Sequence, residues 1–291
     1  LEHGLLVGVG NGDGSDAAHI RYRTRSRDRV PEVRWVEELG DGPPVLYLHG
    51  ILDLHGIEAE PMAFHRHLAE SCRVIAPAHP GCAETGEDET ITTIDDVVFH
   101  YLRVMDALDL DTCVLAGSNI GGWIAAEIAV RHPERIEKLA LIGPTGLFVS
   151  GHPIADIFWY AQPDDGVRYD GLRNLLFAGP RTEIGLSMIP DAKDEIDREM
   201  LKYKAFRFAS LIGFRPPYLY NPKLHMRLDR YTGPAAIVWG EHDSLVPRAH
   251  ADTYSDRFPN SQLEVLPNCG NSLIVESPER TAELISSFIA N

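Results

Sequence analysis

The chemistry of this chain centres on one run, Leu115-Ala116-Gly117-Ser118-Asn119-Ile120-Gly121-Gly122-Trp123. Glycines two residues before and two residues after a polar residue mark a sharp strand-to-helix turn that exposes a side chain at its tip. The glycines are needed because such a turn leaves no room for a Cβ at either place. With Gly117 and Gly121 in those positions, the tip is Asn119. Moving the tip to Ser118 would put Ala116 and the β-branched Ile120 at the tight positions, so the register favours Asn119. Asn also tolerates the positive φ of such a tip better than most non-glycine residues. Its side-chain amide is not a nucleophile and does not titrate near neutral pH.

The elements around this run alternate. Residues 20–27, Ile-Arg-Tyr-Arg-Thr-Arg-Ser-Arg, have period two and read as an early antiparallel strand with one solvated arginine face. Val33–Leu39 reads as a second strand, and Gly40-Asp41-Gly42 as a turn. Continuous apolar strands follow at Val45–Leu48, Arg73–Ala76, Cys113–Ala116, Ile136–Ile142, Pro234–Trp239 and Leu263–Leu266. Helical patterns fall at Thr93–Leu110, Gly122–Arg131, Pro247–Phe258 and Pro278–Ile289. Apolar strands alternating with helices imply a mostly parallel twisted sheet with helices on both faces, an α/β fold.

The interval from Phe148 to Tyr231 breaks the rhythm. It shows no clear strand, reads as several helices, and holds 13 of the chain's 24 aromatic residues. An aromatic-rich insertion after a core strand looks like a helical cap folded over a pocket. The expected division is a core of residues 1–147 and 232–291 with a cap at 148–231. Phe148 and Trp159 are candidates to line the pocket, although most of these aromatics would simply pack the cap on the core. Those left exposed would support a homodimer.

Composition narrows the partners. Among 291 residues, 44% are hydrophobic and 24% charged, ordinary for a globular chain. A net charge of -16 argues against nucleic acid and anionic membrane surfaces. No apolar run approaches the roughly 18 residues of a membrane span. The start, Leu1-Glu2-His3-Gly4, has neither Met nor a signal-peptide pattern, and reads as a processed end. Cys72, Cys82, Cys113 and Cys269 are scattered without C-x-x-C spacing, which points to reduced thiols in a cytoplasmic protein. The 13 histidines show no zinc spacing beyond His65-x-His67, so no metal is expected.

Four motifs in order resemble the α/β-hydrolase superfamily with a helical cap. His49-Gly50-Ile51 is similar to the family's loop after the third strand. Ala76-Pro77-Ala78-His79-Pro80-Gly81-Cys82-Ala83-Glu84-Thr85 is similar to a segment that usually reads A-P-D-x-P-G-x-G-x-S, with Ala78 replacing the Asp and Ala83 a Gly. Trp239-Gly240-Glu241-His242-Asp243 is similar to the acid motif. Pro267-Asn268-Cys269-Gly270-Asn271 is similar to the segment that normally carries Gly-His. The resemblance implies the order nucleophile, acid, histidine. Those positions read Asn119, Asp243 and Asn271, so only the acid is kept.

The resemblance also implies an oxyanion hole from the backbone N–H groups of Ile51 and Ile120, with α-helical dipole behind it. His49 and Gly50 would shape that loop and, with Ser118, are candidates to contact a bound ligand. Ser118 would sit sideways, more suited to core hydrogen bonding than to catalysis. His79 replaces a residue that borders the pocket in the family, and would be there a candidate ligand contact, as a solvated loop residue or as an acid–base group. Ser272 would cap or border the last helix, and Cys269 would be buried and inert. Deamidation of Asn119 would create a carboxylate nucleophile, but Ile120 disfavours it and Asn271 leaves no base.

Three function classes remain open. One is an enzyme that binds a small, largely apolar carbonyl compound and runs lyase, isomerase, cyclase or decarboxylase chemistry without a covalent intermediate and without a cofactor. A second is a non-catalytic small-molecule binding protein. The third is a hydrolase (ester, C–C, epoxide or haloalkane type) whose triad was lost by divergence or engineering.

Overall fold

The computed structural model describes residues 7–9, 18–21, 36–53, 61–82, 85–214 and 217–291. Among the described residues nine strands form one sheet in the order β1-β2-β3-β5-β4-β6-β7-β8-β9. The first are β1 (Val7–Val9), β2 (Ala18–Arg21) and β3 (Val36–Leu39), paired antiparallel. Then come β4 (Pro44–Leu48) and β5 (Arg73–Pro77), β6 (Cys113–Ser118), β7 (Ile136–Ile142), β8 (Ala235–Gly240) and β9 (Ser261–Leu266). From β5 through β9 every pairing is parallel, while β3 joins β5 antiparallel. The expected early strand is thus present at Ile20 and Arg21, and residues 22–27 and 33–35 of the two expected strands lie outside the described residues.

Period two sorts the strand side chains into two cores. Leu46, Leu48, Leu115, Leu139 and Leu141 face one; Val45, Tyr47, Val114, Ala140 and Ile142 face the other. Both faces are apolar, as a doubly covered parallel sheet requires. On the second face lie α1 (Ala63–Ala69), which the sequence did not announce, and α10 (Pro278–Ala290). The first face carries α2 (Ile94–Ala107) and α3 (Asn119–Arg131). Thr93 and Asp96 form a reciprocal capping box that starts α2. Helix α3 begins three residues before the expected Gly122, and nearly every residue in it is buried.

Between β7 and β8 come α4 (Ile157–Tyr160), α5 (Asp170–Leu176), α6 (Glu183–Met188) and α7 (Glu195–Gly213), then two short 3-10 turns. Buried Glu127 ties the end of this insertion to α3: it accepts from Trp123 Nε1 and Asn221 Nδ2, each at 2.9 Å. The chain closes through α8 (Arg248–Arg257), α9 (Leu273–Glu276) and α10. Among the described residues no helix is long and apolar enough to cross a membrane.

Candidate active site

Three elements converge at the turn between β6 and α3. Asn119 has φ +48°, the left-handed conformation that a sharp strand-to-helix tip imposes. A Cβ on Gly117 would lie 2.5 Å from the Gly121 carbonyl oxygen, and one on Gly121 only 2.0 Å from that of Leu48. The glycine spacing therefore records two backbone approaches that no side chain survives.

From the tip a series of hydrogen bonds runs in one direction. The Ile120 N–H donates to Asn119 Oδ1 at 2.7 Å. Asn119 Nδ2 donates to Asn271 Oδ1 at 2.5 Å. Asn271 Nδ2 donates to Asp243 Oδ2 at 2.8 Å and to the Gly143 carbonyl at 3.0 Å. The other carboxylate oxygen of Asp243 accepts from the amides of Leu245 and Val246 at 3.0 and 2.8 Å. Asn119 and Asn271 are buried. Two amides cannot relay a proton, because neither gains or loses one near neutral pH. One expected oxyanion donor, the Ile120 N–H, is already taken by the side chain of the residue before it.

Asp243 keeps some residue surface, but its carboxyl group is enclosed by protein, and burial pushes its pKa up to about 7. Its hydrogen bonds pull the other way and the nearby Glu276 adds to the rise. The folded state thus holds this proton more tightly than the unfolded chain, whose carboxyl has its ordinary value of 3.8. The stability this gives is complete below about pH 4 and is withdrawn as pH rises to about 7. Thermal melts of the parent should lose stability across that window, and Asp243→Asn should flatten the loss. A parent melt independent of pH there would contradict it.

Beside the tip, the loop after β4 holds a second polar cluster. Buried Asp53 accepts from Tyr47 Oη and the Gly50 N–H, both at 2.5 Å, and from Ser118 Oγ at 2.7 Å. Ser118 is thereby turned toward Asp53. His49 Nε2 accepts from the His79 N–H at 2.9 Å, and His79 Nε2 donates to the His49 carbonyl at 2.8 Å. His79 Nδ1 pairs with Tyr101 Oη. The His79 ring stacks on Phe208 of α7 with centroids 3.9 Å apart. A solvated loop position for His79 is therefore corrected: it is fully buried and both ring nitrogens are engaged. Sequence reasoning missed Asp53, Tyr47 and Phe208. Asp53 and Ser118 are 65 positions apart, and no local spacing signals such a pair.

The cavity at the tip is about 10 Å³, lined by Ile51, Leu52 and Leu176 on its apolar side and by Asp53, Asn119 and Asn271 on its polar side. That is room for about one water. Ser272 also lines it, at the N-terminal end of α9 rather than of the last helix. Phe148 lines a different, larger cavity, and Trp159, 74% exposed, lines neither. Burial pushes the Cys269 thiol up to about 11, so it is not a reactive thiolate. Among the described residues no group of three or more His, Cys, Asp or Glu could hold a metal.

A parallel sheet with helices on both faces and a strained polar tip between β6 and α3 define a class, and comparison with known proteins agrees. The family model described as alpha/beta hydrolase fold matches residues 43–278. The chain belongs to the α/β-hydrolase fold family. It is 25% identical over 275 residues to monoacylglycerol lipase ABHD6 of Homo sapiens, covering 87% of this chain and 77% of that protein. It is 27% identical over 264 residues to 2-hydroxymuconate semialdehyde hydrolase of Pseudomonas sp. (strain CF600), covering 88% and 89%. In structure it is similar to a mutant of the meta-cleavage product hydrolase CumD from Pseudomonas fluorescens IP01. The TM-score is 0.69 with 23% identity, over 88% of this chain and 94% of that one.

Proposed function

We propose that this chain is built on a hydrolase site for small, largely apolar carbonyl compounds, and that Asn119 and Asn271 stand where a nucleophile and a base would act. The relatives named above are hydrolases of an ester or of a semialdehyde, which favours this reaction class over lyase, isomerase, cyclase or decarboxylase chemistry. The observation that carries the reading is the hydrogen-bond series Ile120–Asn119–Asn271–Asp243. It satisfies each amide it contains and places at the tip no group that can attack a carbonyl and none that can take a proton from water, since Asp243, its one titratable member, is enclosed behind Asn271. The chain as it stands accordingly forms no acyl-enzyme. What it retains is a donor: a carbonyl oxygen would take the Ile120 N–H once the Asn119 side chain swings away and opens the narrow cavity at the tip. The helical content of the insertion supports a division into a cap at 148–231 and a core made of the described residues of 1–147 and 232–291. The four free cysteines are all buried, which fits a reducing compartment such as the cytoplasm.

The test is turnover of p-nitrophenyl acetate and butyrate by the parent and by Asn119→Ala. Both should release p-nitrophenol at the same slow rate, with no initial burst. A burst from the parent, abolished in the variant, would overturn the reading. Turnover that survives unchanged and well above background would assign the chemistry to another residue.

A further inference from the structure

The cavity that receives Phe148 shares no lining residue with the one at Asn119. It measures about 360 Å³, at the lower end of the roughly 300–1,000 Å³ typical of small-molecule sites. Phe148, Ile154, Phe158 and Tyr220 give it an apolar, largely aromatic wall. The rings of Phe148 and Tyr220 lie 5.5 Å apart, and Phe148 remains 48% exposed. No Lys or Arg lines it, and its one carboxylate, Asp156, already accepts from the amides of Phe158 and Trp159. With no Lys or Arg in the lining, an anion is not invited.

His250 lines this cavity, and one of its ring nitrogens is unsatisfied. His250 is 1% exposed. Its Nε2 lies 2.7 Å from the His152 carbonyl oxygen. A carbonyl can only accept, so Nε2 carries the proton. Burial lowers the pKa of the ring and keeps it neutral. Nδ1 is then a bare acceptor, and it has no hydrogen-bond partner. A buried acceptor without a donor is costly, and native structures leave few of them.

We propose that this cavity binds a small aromatic compound carrying a hydroxyl or N–H, with its ring against Phe148 and Tyr220 and its donor directed to His250 Nδ1. The site is independent of the chemistry at Asn119. A failure of either inference leaves the other standing.

The experiment is calorimetric titration with 2-naphthol and with 2-methoxynaphthalene, which has the same ring system and no donor. The parent should bind one naphthol per chain, at least about tenfold more tightly than the ether, the ratio expected for one buried hydrogen bond. Nitrogen-15 NMR should show the His250 Nδ1 resonance moving as naphthol is added. Ile154→Trp, which fills the cavity, should abolish binding; if it fails to fold, Phe148→Ala should weaken binding at least several-fold. Asn119→Ser/Asn271→His should leave it unchanged. Equal affinity for the two compounds, an unmoved Nδ1 resonance, or full binding by a folded cavity variant would overturn the proposal.

Discussion

Asn119→Ser/Asn271→His should hydrolyse p-nitrophenyl acetate at least about a thousandfold faster than the parent, the scale by which a complete triad exceeds its crippled forms. The geometry is nearly in place. The side chains of Asn119 and Asn271 already meet at 2.5 Å, and Asn271 already donates to Asp243 at 2.8 Å. An imidazole at the second position would keep the donor to Asp243 and turn its other nitrogen to the tip. There it would take the proton of the introduced hydroxyl. Removing the Asn119 amide also frees the Ile120 N–H, now bonded to Asn119 Oδ1 at 2.7 Å, to receive an oxyanion. Each single substitution should gain far less, because a hydroxyl without a base is a weak nucleophile and a base without a nucleophile has nothing to activate. With only about 10 Å³ at the tip, acetate should be turned over faster than butyrate. If the pair gains nothing beyond the singles, the side chains are not the active positions of this scaffold.

Gly121→Ala should destabilise the fold by at least about 3 kcal/mol, the upper range of overpacking costs. The added Cβ would stand 2.0 Å from the Leu48 carbonyl oxygen and 2.5 Å from that of His49. Both are backbone atoms at the end of β4, in the middle of the sheet, and cannot swing aside as a flexible side chain could. Relieving the clash means pulling α3 off β4 and breaking the tip conformation. Gly86→Ala is the control: nothing lies within 4 Å of a Cβ there, and its effect should stay within about 0.5 kcal/mol. Urea midpoints measure both. A Gly121→Ala midpoint equal to the parent's would mean that the turn does not have the geometry described.

What the sequence shows and what it hides follow from the range of the interactions. The turn at Asn119 is legible because its cause is local: glycines at fixed offsets exist where two backbones touch. The doubly apolar strands are legible because their period is two and both faces are buried. The helices after β7 are legible as helices, but not which aromatics point inward. Trp159 and Phe148 look alike in sequence, yet one is 74% exposed and the other borders a cavity. The Asp53 cluster and the burial of His79 under Phe208 join residues far apart in the chain, and no spacing encodes them. Least legible is the state of the Ile120 N–H. That Asn119 closes on its own neighbour's N–H depends on a side-chain rotation.

The central claim is that Asn119 and Asn271 satisfy each other and leave no nucleophile at the tip. Intact-mass spectrometry of the parent after incubation with a fluorophosphonate, which labels activated serines, tests this most directly. The parent should keep its mass while Asn119→Ser/Asn271→His acquires one phosphonyl group. A parent that gains the adduct, whether at Ser118, Ser272 or elsewhere in the site, would show an activated hydroxyl and contradict the account.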